Sequence, residues 1–144
     1  RKHVCTWHKK ILVPLDGSKN SFRGLDEAIY LARQCHTSLT GLYVVTLVLP
    51  SKSKPVSPIE RYLLEEGKIF MLKAKTCAAQ NGIMFNGKVV YGDEGPEIVN
   101  FAKKNNFDVI VIGARGRSVL KEVFLGSTSN YVMHKSLVPV IIVK

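Results

Sequence analysis

The sequence predicts a single-domain α/β protein with an open, doubly wound parallel sheet of five strands and helices on both faces. Five short β-branched runs alternate with four amphipathic segments, which is the pattern of that fold class. The run at residues 108–112 is apolar over most of its length, as a strand covered on both faces is. The length of 144 residues, 46% of them apolar, suits one hydrophobic core.

The first part of the chain predicts two strands joined by a helix. Residues 10–15 form an apolar run that the turn residues Asp16-Gly17-Ser18 close, as at the end of a buried strand. A helix then shows the three-to-four spacing of one apolar face, at Phe22, Leu25, Ile29, Ala32 and Cys35. Residues 39–45 read as the second strand, and the prolines and serines of residues 47–58 predict a loop.

A long amphipathic helix and a third strand are predicted next. The apolar face of this helix is predicted at Ile59, Leu63, Phe70, Ala74 and Cys77. The helix is expected to end near Asn81-Gly82, and Gly67 is a weak point within it because glycine lowers helix propensity. Residues 88–91 then read as the third strand.

The last third of the chain predicts two more helices and two more strands. Pro96, flanked by acidic residues, marks the start of a short helix. Residues 108–112 form the fourth strand, which Gly113 is expected to end, and a helix follows from near Ser127. The final strand is Val140–Val143.

Charge and composition narrow the function classes. A formal net charge of +10 favours anionic partners, but the basic residues are scattered over every segment, so we do not expect nucleic acid as a partner. Every apolar run is far shorter than the roughly 18 residues that span a bilayer, and no membrane association is expected. Residues 1–9 form a basic extension before the domain at 10–144 and lack a signal-like apolar stretch, and the three cysteines form no disulfide framework. We therefore expect a cytoplasmic protein.

A spaced set of glycines follows the fourth strand. Gly113-Ala114-Arg115-Gly116 is followed by nine residues and then by Gly126-Ser127-Thr128, at the start of a helix. Glycines allow backbone N–H groups to approach an anion, and a helix N-terminus adds further donors. Arg115 would add positive charge, and the Ser127 hydroxyl one more bond. Each glycine alone is better read as a turn and Ser127 as an N-cap, but the whole set predicts a phosphate site.

This set resembles the nucleotide-binding signature of the ATP-binding universal stress proteins, and the resemblance extends from Lys10 to Val143. It implies the strand order 3-2-1-4-5 and ATP or AMP as ligand. In the enzyme alternative below, any Mg²⁺ would be held by the phosphates and water rather than by protein ligands. Tyr43 stands where the family commonly has histidine. The nucleotide contacts that the resemblance implies are Pro14, Leu15, Asp16, Val44, Ile112, Gly113, Arg115, Gly116, Gly126, Ser127 and Thr128.

Two of these contacts keep an alternative interpretation. Asp16 resembles the family's acidic residue that meets the adenosine, but a turn or capping carboxylate is equally consistent with its position. The backbone at Val44 resembles the family's reader of the adenine edge, but the residue also suits a plain core position. Both alternatives stay open on the sequence alone.

The function predicted is a nucleotide-responsive binding module, in which ATP or AMP alters the surface offered to an unidentified protein partner under stress. A weak ATP hydrolase or phosphotransferase and a basic nucleic-acid-binding protein are the alternatives. No catalytic residues are assigned, because neither glycine segment supplies the lysine of a Walker loop, and no histidine and cysteine spacing fits zinc. The strand Val140–Val143 would lie at the sheet edge without an internal charge or proline, which predicts a homodimer through it.

Overall fold

The computed structural model describes residues 9–46, 56–116 and 125–144. Within them, five strands alternate with four helices along the chain. The strands are β1 (Ile11–Pro14), β2 (Leu39–Val45), β3 (Phe85–Tyr91), β4 (Val109–Gly113) and β5 (Val140–Val143), and the helices are α1 (Lys19–Cys35), α2 (Pro58–Gln80), α3 (Glu94–Lys104) and α4 (Ser127–Lys135).

All neighbouring strands pair in parallel in the order β3-β2-β1-β4-β5, which confirms the predicted fold class and strand order. One apolar core lies on the face of the sheet that α1 and α2 cover, and a second lies on the face that α3 and α4 cover. The direction of winding changes between β1 and β4, so the carboxyl ends of these two strands flank the crevice in which doubly wound folds bind ligands.

Helix boundaries differ from the predictions where capping residues decide them. The predicted apolar face of the first helix begins at Phe22, and α1 itself begins about one turn earlier because Ser18 is its N-cap and accepts a hydrogen bond from the Ser21 N–H (3.1 Å). Ser57 caps α2 in the same way, so Pro58 opens this helix rather than closing the preceding loop. Residues 47–55 of that loop, and residues 1–8 of the N-terminal extension, lie outside the described residues.

Packing between elements corrects three further predictions. The predicted third strand starts at residue 88, but β3 starts at Phe85, which pairs with Leu39 and packs on Gly41 of β2. Gly67 is no weak point, because a β-carbon there would lie 2.5 Å from the Tyr43 ring, so glycine is what lets α2 lie close to the sheet. Ile59 does not belong to the buried face of α2, since 66% of it is exposed. No helix in the described ranges has the length and apolar character needed to cross a membrane.

Candidate functional site

A cavity of about 470 Å³ opens at the carboxyl ends of β1, β2 and β4. Every residue that the sequence analysis assigned as a nucleotide contact lines it: Pro14, Leu15, Asp16, Val44, Ile112, Gly113, Arg115, Gly116, Gly126, Ser127 and Thr128. Five further lining residues were not predicted from the sequence: Ser21, Leu42, Glu94, Ile98 and Ser129. The only sequence signal for Leu42 was its place two residues before Val44 on the same strand, and the other four looked like ordinary helix residues.

Asp16 lies on the cavity wall, and its carboxylate also stabilises the turn that precedes α1. Its Oδ1 accepts a hydrogen bond from the Ser18 N–H (2.9 Å), and Gly17, with φ of 85°, allows the sharp turn between them. The other oxygen, Oδ2, lies beside Gly116, because a β-carbon placed on that glycine would be 2.7 Å from it. The turn interpretation is therefore correct for one oxygen, while the second oxygen remains at the wall of the cavity.

The backbone of Val44 faces the cavity as a consequence of strand register. The ladder between β1 and β2 closes with the Leu15 N–H donating to the Leu42 carbonyl (2.9 Å). Backbone groups two residues apart on a strand point to the same side, so the N–H and C=O of Val44 point beyond the end of β1. An adjacent donor and acceptor of this kind are suited to the polar edge of a flat heterocycle.

The N-terminus of α4 supplies backbone amides, but not all those that the sequence suggested. Gly126 is the N-cap residue and provides no side-chain cap, and its own N–H donates to the Ala114 carbonyl (2.7 Å). The expectation that the Gly126 amide serves as a phosphate donor is therefore wrong for this conformation. The amides of Ser127, Thr128 and Ser129 precede the intrahelical ladder, which opens with the Asn130 N–H bonding to the Gly126 carbonyl (3.0 Å). Amides at the N-terminus of a helix are favourable partners for an anion.

Gly113 has a packing role that its place in the motif did not reveal. A β-carbon on Gly113 would lie 2.6 Å from the backbone oxygen of Asn20 in α1. The same asparagine accepts the Arg115 N–H through its side-chain oxygen (2.6 Å), so that amide is occupied as well. Glycine at 113 is thus required by the approach of α1 to β4, whether or not a ligand binds, and its contact with an anion stays a prediction.

Glu94 joins α3 to α4 across one side of the cavity. Its Oε2 accepts a hydrogen bond from the Thr128 hydroxyl (2.7 Å). Among the described lining residues, the charged side chains are two acids, Asp16 and Glu94, and one base, Arg115. The described part of the chain contains no group of three or more histidine, cysteine or acidic residues placed to hold a metal ion.

Comparisons with known proteins agree on one family. A profile of the universal stress protein family matches residues 8–144. The universal stress protein MJ0531 of Methanocaldococcus jannaschii is 33% identical over 141 residues, which cover 95% of this chain and 82% of that protein. The universal stress protein YxiE of Bacillus subtilis is 34% identical over 145 residues, with 94% and 98% of the two chains covered.

Solved structures match the fold over almost the whole chain. The universal stress protein UspA from Lactobacillus plantarum superposes with a TM-score of 0.82 at 27% identity, covering 96% of this chain and 99% of that one. A universal stress protein in complex with cAMP (TM-score 0.80, 21% identity, 96% and 99% covered) and one from Archaeoglobus fulgidus in complex with dAMP (0.73, 22%, 96% and 100%) share the fold.

Proposed function

The chain belongs to the universal stress protein family, and on that premise we propose that it binds an adenine nucleotide, ATP or AMP, in the cavity at the carboxyl ends of β1, β2 and β4. One observation carries the proposal. Segments that are far apart in sequence, at residues 14–16, 44, 112–116 and 126–128, converge on one cavity at the point where the winding of the sheet reverses.

The geometry suggests how a nucleotide would lie. The base would meet the Val44 backbone beyond the end of β1, and the apolar wall of Leu42, Ile98 and Ile112 would cover its faces. The ribose would accordingly lie near Asp16 Oδ2, which is free of the turn bond that Oδ1 makes. The phosphates would bind the first-turn amides of α4, with Mg²⁺, if bound, held through the phosphates. Universal stress proteins have been solved in complex with cAMP and with dAMP, which is in keeping with an adenine nucleotide as the ligand.

We propose that occupancy is read out as a change in surface. Phosphates on α4 would link this helix to the loop at residues 113–116, which leads out of the cavity, and so order a surface for a protein partner during stress. The cytoplasmic location and the partner remain predictions. The hydrolase alternative would need a general base beside the phosphates, and the nucleic-acid alternative still depends on net charge alone.

Calorimetric titration with AMP and ATP tests the nucleotide proposal, together with mass spectrometry of any nucleotide released from denatured purified protein. Gly126→Val should abolish nucleotide binding, because the valine side chain would enter the space between the 114–116 loop and the α4 amides. Its β-carbon alone would lie 3.4 Å from the Ala114 carbonyl oxygen. Gly87→Val is the matched control, since a β-carbon at that exposed position of β3 meets first the flexible end of Met71 (3.1 Å).

The outcomes separate the candidate functions. Binding of AMP or ATP by the wild type and the control, but not by Gly126→Val, supports the proposal. Unchanged ATP affinity in folded Gly126→Val would show that this end of the cavity is not the phosphate site. Accumulation of ADP in the ATP sample would favour the hydrolase. Salt-sensitive binding of nucleic acid without nucleotide binding would favour a nucleic-acid-binding protein.

We also propose a homodimer through β5. The structure places this strand at the sheet edge, where 41% of Ile141 is exposed, and 84% of Leu137 just before the strand is exposed too. Antiparallel pairing with a second copy would satisfy both edges in a closed twofold contact.

A further inference from the structure

The N-terminus of α4 already has a negative charge beside it. Gly126, the N-cap, offers no side-chain acceptor. Glu94, the first residue of α3, instead brings its carboxylate to this end by accepting the hydroxyl hydrogen of Thr128, the second residue of α4 (2.7 Å). An acidic group at the positive end of a helix dipole is stabilising. Any phosphate that binds at the N-terminus of α4 therefore lies near the Glu94 carboxylate.

A phosphate on the α4 amides would lie close to this carboxylate. An oxygen bonded to the Thr128 N–H and the Glu94 oxygen bonded to the Thr128 hydroxyl would be separated by about 6 Å, from two hydrogen-bond lengths and the size of the residue between them. Two unit negative charges at about 6 Å weaken binding about threefold in a water-like dielectric and about 100-fold at an effective dielectric constant of about 20. Glu94 and Thr128 are both half-buried, so the expected weakening of binding lies between these two values.

The rest of the described lining does not offset this repulsion. Arg115 is its one cationic side chain and is exposed, while Asp16 adds a second negative charge. The charged groups of this part of the wall therefore sum to about one negative charge, although the amides at its far end favour an anion. Such a wall tolerates one phosphate on the amides better than a chain of three.

We infer that Glu94 is a specificity-determining residue of the cavity: its carboxylate, held at the positive end of α4 by Thr128, makes the site prefer a nucleoside monophosphate to a triphosphate unless a divalent cation neutralises the phosphate chain. The inference rests on the proposed nucleotide binding and specifies the ligand class. Glu94 acts through its charge and takes no part in a reaction.

Calorimetric titration with AMP and ATP, in EDTA and in millimolar Mg²⁺, tests the inference. In EDTA the wild type should bind AMP more tightly than ATP, and Glu94→Gln should raise the affinity for ATP relative to AMP about tenfold. Glu94→Met should do the same, which separates loss of charge from the hydrogen-bond donor that glutamine adds. The gain should shrink in Mg²⁺ and at high salt, because the repulsion is then neutralised or screened.

Asp93→Asn is the matched control. It removes the same charge from the neighbouring residue, which is exposed, makes no side-chain cap bond and does not line the cavity. The ratio of ATP to AMP affinity should change less than twofold in it. An unchanged ratio in both Glu94 variants, or an equal change in Asp93→Asn, would overturn the inference and leave the proposed function standing. A wild type that binds neither nucleotide would overturn both.

Discussion

Gly113→Ala should destabilise the fold, and the effect separates a packing glycine from a ligand-facing one. The added β-carbon would lie 2.6 Å from the backbone oxygen of Asn20 and 2.8 Å from its side-chain oxygen. Both atoms belong to the first turn of α1, whose position the core fixes. Relief of the clash requires α1 and β4 to separate by several tenths of an ångström.

The magnitude follows from the contacts that such a shift disturbs. Overpacking of a filled site costs about 1–3 kcal/mol. Asn20 also accepts the Arg115 N–H (2.6 Å) and donates to the Val143 carbonyl (3.3 Å), and weakening each hydrogen bond costs about 0.5–1.5 kcal/mol. A loss of about 3 kcal/mol in the free energy of unfolding is therefore expected. With a urea m-value of about 2 kcal/mol/M, the unfolding midpoint should fall by about 1.5 M.

Urea unfolding followed by far-UV circular dichroism, at one protein concentration and without nucleotide, measures the effect. Gly126→Ala is the matched control, because its β-carbon meets the Ala114 carbonyl at 3.4 Å and its φ of −70° suits any residue. Its midpoint should stay within a few tenths of a molar unit of the wild type, as expected for a change of about 0.5 kcal/mol. Equal midpoints for Gly113→Ala and the wild type would refute the packing role assigned to Gly113.

Three further predictions concern the ligand and the assembly. Asp16→Ala should weaken the binding of adenosine compounds about tenfold in calorimetry, as expected for the loss of one good hydrogen bond, and should leave tripolyphosphate binding unchanged. An equal loss of affinity for both ligands would contradict a contact between Asp16 and adenosine. Gly116→Ala should reproduce that loss, because its β-carbon would lie 2.7 Å from Asp16 Oδ2 and displace the carboxylate; retained adenosine affinity would count against this. Ile142→Pro should give a folded monomer by light scattering, whereas Ile141→Pro should lower the stability of the fold. A wild type that is monomeric at micromolar concentration would refute the dimer proposal.

The last contrast follows from the register of the edge strand. The Ile110 N–H bonds to the Pro139 carbonyl and the Ala114 N–H bonds to the Val143 carbonyl, so residues 139, 141 and 143 direct their backbone groups to β4. Residues 140 and 142 direct theirs away from the sheet. Proline at 142 thus removes a donor from the free edge, and proline at 141 removes one from the internal ladder.

Local sequence patterns were sufficient to predict the order of the elements, and with the family resemblance they predicted eleven of the sixteen described residues that line the cavity. Hydrophobic periodicity and capping residues act within a few positions of the chain, so β2 and β5 were predicted with the observed bounds. The end of each parallel strand lies on the same side of the sheet, so the residues after β1 and β4 were expected to meet without knowledge of any distance.

The tertiary structure alone decided what each residue does at the cavity. That Gly113 packs on α1, that the Gly126 amide is occupied by Ala114, and that Glu94 reaches Thr128 are consequences of contacts between elements 12 to 93 residues apart. Such contacts depend on how far one element approaches another, to within tenths of an ångström, and side-chain patterns along a chain do not encode that approach locally. The start of β3 at Phe85 was missed for the same reason, because pairing with β2 extends a strand that its own residues only weakly favour.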